Sequence, residues 1–340
     1  MPPTTLPSAT PTVLIIGAGG IGERHVRCFL ATARTGVALC EPNVDRRKLI
    51  CERYGVAGFA TAAEALATAR FRAAVICTPA PRHPAIAAEC LAAGLSVLIE
   101  KPLAASHEGL DSLRQALARS QGILRVAYVY RSIPVIQACR ELVQSETLGK
   151  VRHVTVEAGQ NFPSFRPDFQ RTYYAKRASG GGAIQDFLTH MVHGVEWTVG
   201  PVVELACLAD RQVLSGVEVE DVASLLCRHR DGTLSSFSLN QFQAPNEVTL
   251  SYHAPGGSIR VELHRQRLGV ARQGSTDWEW REIPHGERDT LFVAQANSFL
   301  DACEGKPDQL CCLDDAVQTL EVNLCALASN DSRQFIRVAP

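Results

Sequence analysis

Short apolar runs alternate with helix-like stretches through the first part of the chain. The runs read VLIIG (13–17), VALC (37–40), AAVICT (73–78), LSVLIE (95–100) and ILRVAYV (123–129). Unbroken rather than alternating apolarity is typical of parallel strands that helices cover on both faces. Between the runs, Thr61 with Glu64 predicts a capping box, and Pro84 suits a first helical turn. This part of the chain predicts an α/β Rossmann fold with a doubly wound parallel sheet.

The pattern changes after about residue 133, where strand-like segments follow one another with few helices between them. These segments lie at 151–160, 202–210, 222–230, 233–243, 247–253 and 257–264. Many of them alternate, and Asp231-Gly232 is a turn signal, so we expect an α+β domain with an open, mostly antiparallel sheet. Helices that would cover one face of that sheet are predicted at 181–199, 289–304 and 313–328.

Together the patterns predict three parts of the chain. Residues 1–12 read as a disordered tail without the apolar centre of a secretory signal. One domain is predicted over 13–133 and a second over 134–340, with Ser132 as the cap of a linking helix.

The composition and net charge limit the classes of partner that the chain is expected to bind. The chain has 340 residues, enough for two domains, and a net charge of −1 from 34 Lys and Arg against 35 Asp and Glu. This balance gives no attraction to nucleic acid or to an anionic membrane, so a small neutral molecule is the expected partner. The twelve cysteines form no CxxC pair and lie mostly in apolar stretches, which predicts reduced thiols and a cytoplasmic protein.

A glycine-rich hexapeptide follows the first apolar run and opens a helix-like stretch. In this GxGxxG context the first glycine permits a tight turn, the second lets a pyrophosphate approach the backbone, and the third allows the helix to pack closely on the strand. Backbone N–H groups at the start of the helix then bind the phosphates. The expected cofactor contacts in this loop are Gly17, Gly19, Gly20, Ile21 and Gly22.

An acidic residue, Glu41, ends the second apolar run, where a carboxylate accepts hydrogen bonds from the adenosine ribose. Its charge would repel a ribose phosphate, so we expect NAD as the cofactor. Arg46 and Arg47 lie close downstream and keep NADP open, although they also read as solvated charges on the next helix.

The fourth apolar run ends in Glu100-Lys101-Pro102, at the carboxyl edge of the predicted sheet where open α/β proteins bind ligands. Together with CTPAPRH at 77–83, this arrangement resembles the glucose-fructose oxidoreductase and inositol dehydrogenase (Gfo/Idh/MocA) family. The resemblance implies a nucleotide-binding first domain, and a second domain with an open sheet that binds substrate and forms oligomers. Further cofactor contacts implied by the resemblance are Thr78, Pro79, His83, Glu100 and Lys101.

A third sequence feature matches the pattern of the same family. Gly180-Gly181-Gly182 precedes a helix in which Asp186 and His190 stand four residues apart and share one face. The family has the same glycine-rich entry and Asp-x-x-x-His pair, so the resemblance implies that Lys101, Asp186 and His190 are catalytic. His193 stands where the commoner pattern has an Asp, which leaves the identity of the substrate open.

Oxidation of a secondary alcohol needs a base for the hydroxyl proton while hydride leaves for the nicotinamide. His190 is the expected base because a histidine pKa lies near neutral pH, at about 6.5. Lys101 is expected to stay cationic and stabilise the developing alkoxide. Asp186 would fix the histidine tautomer or pass on a substrate proton. One alternative is that these three residues are polar side chains with a structural role only. Another is a metal site that Asp186 and His190 form with His193, although we predict no metal.

Substrate contacts are expected in the stretch 160–182, which offers donors, acceptors and aromatic surface. Candidate substrate residues there and beyond are Arg131, Arg166, Asp168, Tyr173, Tyr174, Lys176 and His193. The polar residues Ser236, Ser238 and Asn240 alternate along one strand face, which suggests an interface in a homo-oligomer, a dimer or tetramer.

The expected function is therefore NAD(P)-dependent hydride transfer to or from a secondary hydroxyl or ketone of a sugar, sugar derivative or cyclitol. Two alternatives stay open. One is an enzyme that uses tightly bound NAD for transient oxidation during glycoside cleavage or epimerisation, and the other is a non-catalytic sensor of nucleotide or sugar.

Overall fold

The computed structural model describes residues 12–339 and divides them into two compact units. Unit 1 contains the chain up to Ser132 and the segment Gly286–Leu313, and unit 2 contains Ile133–His285 and the chain from Asp314. The prediction of a single second domain over 134–340 is therefore wrong for 286–313, which belong to unit 1. Of the predicted tail at 1–12, residues 1–11 lie outside the described residues, and Thr12 begins the first strand.

Unit 1 contains a six-stranded parallel sheet in the order β3-β2-β1-β4-β5-β6. Its strands are β1 Thr12–Ile16, β2 Gly36–Cys40, β3 Ala57–Phe59, β4 Phe71–Ile76, β5 Ser96–Glu100 and β6 Leu124–Ala127. The connecting helices are α1 Gly20–Ala31, α2 Val44–Tyr54, α3 Ala62–Thr68, α4 His83–Ala92 and α5 Leu110–Arg119. The strand order reverses between β1 and β4, the place where open sheets bind ligands at the carboxyl ends of their strands.

Unit 2 contains a nine-stranded sheet in the order β14-β13-β12-β11-β7-β10-β9-β8-β15. Its strands are β7 His153–Asn161, β8 Val202–Asp210, β9 Val222–His229, β10 Leu234–Asn240, β11 Phe242–Ala254, β12 Gly257–Glu262, β13 Arg267–Arg272, β14 Glu279–Glu282 and β15 Ile336–Arg337. All neighbours pair antiparallel except β7 and β10. Along β9, Ala223, Leu225 and Cys227 are buried while Ser224 and Leu226 are exposed, so one face of the sheet is covered and the other is open.

The helices of unit 2 begin with α6, Pro134–Gln144, whose N-cap is Ile133 rather than the predicted Ser132. The short helix α7, Phe162–Phe165, follows β7. A π-helical segment, Ile184–Leu188, runs directly into α8, Thr189–Val199.

Two long helices lie between β14 and β15 in the sequence. They are α9 Arg288–Cys303 and α10 Leu313–Ser332. Helix α9 belongs to unit 1 because its apolar side chains pack on that sheet's helices: Phe299 contacts Phe29 edge-to-face at 6.3 Å between ring centroids. Arg24 and Arg27 of α1 also form ion pairs with Asp289 at the start of α9. The prediction that this helix covers the second sheet is therefore wrong.

The predicted fold class is confirmed by these two sheets. A doubly wound parallel sheet is followed by an α+β unit whose open sheet is mostly antiparallel. Within residues 12–339, no helix is long and apolar enough to cross a membrane.

Candidate active site

The glycine loop lies between β1 and α1 in unit 1. Gly17 has a φ of +100°, and a side-chain carbon there would lie 2.8 Å from the carbonyl oxygen of Cys77. A side-chain carbon on Gly22 would overlap the carbonyl oxygen of Gly17. At Gly19, by contrast, the same carbon would meet nothing within 4 Å. Gly17 and Gly22 are thus required by packing, whereas Gly19 keeps an open surface at the N-terminus of α1, where an anion can bind.

Glu41 follows β2 and lies beside this loop. Its Oε2 accepts the backbone N–H of Ala18 at 2.8 Å, and its Oε1 accepts that of Asn43 at 2.9 Å. Arg46 of α2 donates from Nε to the carbonyl oxygen of the same Ala18. A carboxylate and a guanidinium therefore bind the N–H and the carbonyl oxygen of one residue of the glycine loop, Ala18. A carboxylate that follows the second strand is the group that recognises an adenosine ribose in folds of this kind.

The end of β5 places Glu100 and Lys101 at the carboxyl edge of the sheet. Glu100 is 5% exposed, and its Oε1 lies 2.7 Å from Nε2 of His25 in α1. Its Oε2 accepts the backbone N–H of Lys101 at 3.1 Å. Lys101 itself is partly exposed. Sequence reasoning missed His25, because its partner Glu100 lies 75 residues away in the chain.

The segment after β4 contributes Thr78, Pro79 and His83. The ring of His83 is buried, with Nε2 at 2.7 Å from the carbonyl oxygen of Thr78 and Nδ1 at 3.0 Å from that of Pro102. Burial lowers the pKa of His83. Both nitrogens face backbone carbonyls, and the structure thus gives this predicted cofactor contact a role inside the protein.

The residues of unit 1 fit a dinucleotide. Besides the open surface at Gly19, the hydroxyl of Thr78 is buried and has no hydrogen-bond partner among the described residues. A buried hydroxyl without a partner is rare in proteins and marks a place where a ligand or water binds.

Arg131, predicted as a substrate contact, is buried, and its Nη1 donates to the carbonyl oxygen of Leu310 at 3.1 Å.

In unit 2 the glycines before the π-helical segment are required by close packing. A side-chain carbon on Gly181 would overlap the carbonyl oxygen of Tyr174, and one on Gly182, where φ is +94°, would lie 2.5 Å from Oε1 of Glu220. That oxygen accepts the backbone N–H of Ile184 at 2.9 Å. Burial raises the pKa of Glu220. This carboxyl, missed by sequence reasoning, caps the start of the segment, and no local motif around it points to that role.

Asp186 lies within the π-helical segment, and His190 follows in the first turn of α8. Asp186 is 9% exposed, and one carboxylate oxygen accepts the phenol of Tyr173 at 2.5 Å. The structure therefore joins two residues that were predicted in different roles, one catalytic and one binding substrate. Single π-helical turns occur frequently at functional sites because they shift the direction of a side chain.

His193, predicted to contact substrate, is 1% exposed. Its Nδ1 lies 3.0 Å from the hydroxyl of Thr319 in α10, and that hydroxyl donates to Oε2 of Glu196 at 2.9 Å. Burial raises the pKa of Glu196 to about 7. Over residues 12–339, no group of three His, Cys, Asp or Glu side chains is placed to hold a metal ion.

The segment before the glycines presents its charged side chains outward. Arg166, Asp168 and Lys176 are exposed, and the side chain of Tyr173 is 43% exposed. Tyr174 is buried in a cluster with Phe162 and Phe169. Burial raises the pKa of its phenol, which has no hydrogen-bond partner within the described part of the chain.

Comparison with known proteins places both halves of the chain in one group. Residues 12–128 match the GFO_IDH_MocA model, described as an oxidoreductase family with an NAD-binding Rossmann fold, and residues 136–266 match the GFO/IDH/MocA C-terminal domain. The chain is 23% identical over 313 residues to the rhizopine catabolism protein MocA of Rhizobium meliloti, covering 91% of both chains. It is 26% identical to an inositol 2-dehydrogenase of Rhizobium meliloti (strain 1021), covering 76% of this chain and 74% of the relative.

A solved structure, levoglucosan dehydrogenase in complex with NADH and levoglucosan, superposes with a TM-score of 0.86. The match covers 97% of this chain and 100% of the other, at 18% sequence identity. At that identity the similarity establishes the fold.

Proposed function

Because the chain belongs to the GFO/IDH/MocA oxidoreductase family, we propose that it transfers a hydride between NAD and a secondary hydroxyl or ketone of a sugar, sugar derivative or cyclitol. The observation that carries the proposal is the set of groups at the carboxyl ends of the unit 1 strands. There the open surface at Gly19, the carboxylate of Glu41 and the Glu100-Lys101 pair follow β1, β2 and β5. The relatives include an inositol dehydrogenase, and a structural neighbour binds levoglucosan, which supports a polyol or sugar substrate.

Within this proposal, the backbone N–H groups at the start of α1 hold the cofactor's pyrophosphate, and Glu41 accepts the ribose hydroxyls. Bound NAD supplies the hydride acceptor. NAD is favoured over NADP because the carboxylate of Glu41 would face the additional phosphate, although Arg46 contacts the same residue, Ala18.

His190 takes the proton of the substrate hydroxyl, and the ammonium of Lys101 stabilises the negative charge that develops on the oxygen. Asp186 fixes the tautomer of His190 or passes on a substrate proton, and its carboxylate accepts a hydrogen bond from the phenol of Tyr173. The exposed side chains of Arg166 and Lys176 are the proposed polyol contacts.

The open face of the nine-stranded sheet is the proposed interface of a cytoplasmic homo-oligomer. Leu208 and Leu226 on that face are 61% and 59% exposed, and Phe335 is 65% exposed. Exposed apolar side chains in such a group favour association with a second copy. Light scattering of the wild type and of Leu226→Lys tests this: the variant is expected to have the lower mass, and a monomeric wild type would contradict the interface.

A test of the activity uses purified protein in two steps. Mass spectrometry first determines whether NAD is retained, and the near-ultraviolet absorbance of NADH then reports turnover with a panel of sugars and cyclitols. Reduction of added NAD supports the proposed dehydrogenase. Retained NAD without net reduction would favour transient oxidation, and binding without redox change would favour a sensor.

A further inference from the structure

We propose that two buried histidines, His25 and His83, are positioning residues that hold the backbone on either side of Lys101. The proposal rests on the catalytic role proposed for Lys101. It concerns groups inside unit 1 only, and it gives a role to two titratable side chains that the proposed chemistry does not use.

The first histidine acts through Glu100. His25 is 1% exposed, and its Nε2 lies 2.7 Å from one oxygen of Glu100, whose other oxygen accepts the backbone N–H of Lys101 at 3.1 Å. Nδ1 of His25 is buried and has no hydrogen-bond partner in the described chain. A buried N–H without an acceptor costs more than an unused lone pair, so we assign the proton to Nε2, which donates to Glu100.

Aromatic rings fix the orientation of this imidazole. The ring centroid of Phe292 in α9 lies 5.7 Å away with its plane nearly perpendicular, and that of Phe29 lies 6.1 Å away. In such apolar surroundings a hydrogen bond to a carboxylate is strong, and loss of one partner leaves the other unsatisfied. The helix that begins at the glycine loop is thereby tied to the residue before Lys101.

The second histidine acts on the residue after Lys101. His83 begins α4, and its ring nitrogens lie 3.0 Å from the carbonyl oxygen of Pro102 and 2.7 Å from that of Thr78. Each neutral tautomer of the imidazole donates to one of these two carbonyls, and the protonated ring donates to both. The ends of β4 and β5 are joined through this one buried ring.

Lys101 therefore stands between two neighbours that each contact a buried imidazole, because Glu100 contacts His25 and Pro102 contacts His83. Such anchoring matters for chemistry because a displacement of about 1 Å at a catalytic group can cost roughly a hundredfold in rate. A purely structural histidine would affect stability, whereas a positioning histidine affects the behaviour of Lys101 in protein that is still folded.

The test compares His25→Leu, which removes the donor, with His25→Gln, which keeps a side-chain N–H. The matched control is His229→Leu, because His229 in unit 2 is also buried and contacts Gly200 and Ser235 through its two ring nitrogens. For each protein the melting temperature, NADH affinity, kcat and KM are measured. The rate at which acetic anhydride labels Lys101 is followed by peptide mass spectrometry.

For His25→Leu we expect kcat to fall at least about tenfold, with NADH affinity changed less than about threefold. Labelling of Lys101 should be at least about threefold faster, since its backbone is no longer held. His25→Gln should bring kcat and the labelling rate of Lys101 most of the way back to the wild-type values. His229→Leu should change neither kcat nor the labelling rate. Labelling and kcat within threefold of the wild type would overturn the proposal.

If His25→Leu does not fold, Glu100→Gln is compared with the wild type by the same measurements. This variant keeps the shape of the side chain and removes the negative charge that His25 contacts. The labelling rate does not depend on turnover. Faster labelling in a protein that oxidises no polyol would support the anchoring and contradict the proposed function, whereas unchanged labelling overturns the anchoring whether or not the enzyme is active.

Discussion

The phenol of Tyr173 donates a hydrogen bond of 2.5 Å to the carboxylate of Asp186. Tyr173 is 43% exposed and Asp186 is 9% exposed, so an exposed residue of the proposed substrate segment contacts a buried acid in the π-helical segment. Hydrogen bonds to a charged group contribute about 1.5 to 3 kcal/mol when their geometry is good. Tyr173 thus contributes to the position of Asp186.

Replacement of Tyr173 by Phe should lower kcat/KM for the substrate by roughly 10- to 100-fold, which corresponds to the loss of that hydrogen bond. Steady-state kinetics measures the effect. Tyr54→Phe is the control, because the phenol of Tyr54 donates to Glu23 on the surface of unit 1 and should be dispensable for turnover. Equal kinetics for Tyr173→Phe and the wild type would show that Asp186 does not need this partner.

Two glycines of the loop should respond differently to alanine. Gly22→Ala forces a methyl group into the carbonyl of Gly17 and should lower the melting temperature by several degrees, about 2 to 4 °C for each kcal/mol lost. Gly19→Ala meets no neighbour, so the protein should keep its stability and lose affinity for NADH at least about tenfold as the phosphate approach is blocked. Thermal melts and NADH titrations distinguish the two. Undiminished NADH binding by Gly19→Ala would remove this loop from the cofactor site.

The charge of Glu41 should set the preference between cofactors. Glu41→Gln keeps an acceptor for the N–H of Ala18 and removes the negative charge, while Arg46 still contacts the carbonyl oxygen of Ala18. The ratio of kcat/KM for NADP to that for NAD should rise at least about tenfold, as expected from relief of about 1.4 kcal/mol of repulsion. If the ratio does not change, the ribose is recognised elsewhere.

The buried carboxyl of Glu196 should make stability depend on pH. Burial raises its pKa from 4.5 to about 7, so between these values the folded protein binds more protons than the unfolded chain. Stability from this group is therefore lost as pH rises from about 4.5 to about 7. Glu196→Gln, in which the amide can donate to Thr319, removes that dependence. Its melting temperature relative to the wild type should rise through this pH range, and a constant difference would contradict the shift.

Much of unit 1 was predictable because its elements and its cofactor loop are indicated by patterns within short stretches of sequence. Continuous apolar runs indicate buried parallel strands, and a strand, glycine loop, helix and acid in order indicate a dinucleotide site. The strand Ala57–Phe59 was missed because three small or mixed residues leave no apolar run. In unit 2, Arg267–Arg272 and Glu279–Glu282 were missed because their sequences, RLGVAR and EWRE, are too polar to read as strands.

What could not be predicted depends on contacts between distant residues. Helix Arg288–Cys303 has an ordinary helical sequence, and its contacts with α1, such as that of Phe299 with Phe29, show which unit it joins. His25 and Glu100 are 75 residues apart, and neither residue alone reveals the pair. His193 follows the Asp-x-x-x-His motif closely in sequence, yet its ring contacts Thr319 of the last helix.

We propose that this chain reduces NAD with a polyol and uses His190 as the base. The most direct measurement is the rate of NADH formation by the wild type and by His190→Ala, with the substrate that the sugar and cyclitol panel identifies. General base catalysis contributes roughly 10²- to 10⁴-fold, so the variant should be at least a hundredfold slower while it binds NADH as the wild type does. A loss of less than about tenfold would show that another group takes the proton, and no NADH formation by the wild type with any polyol would contradict the proposed function itself.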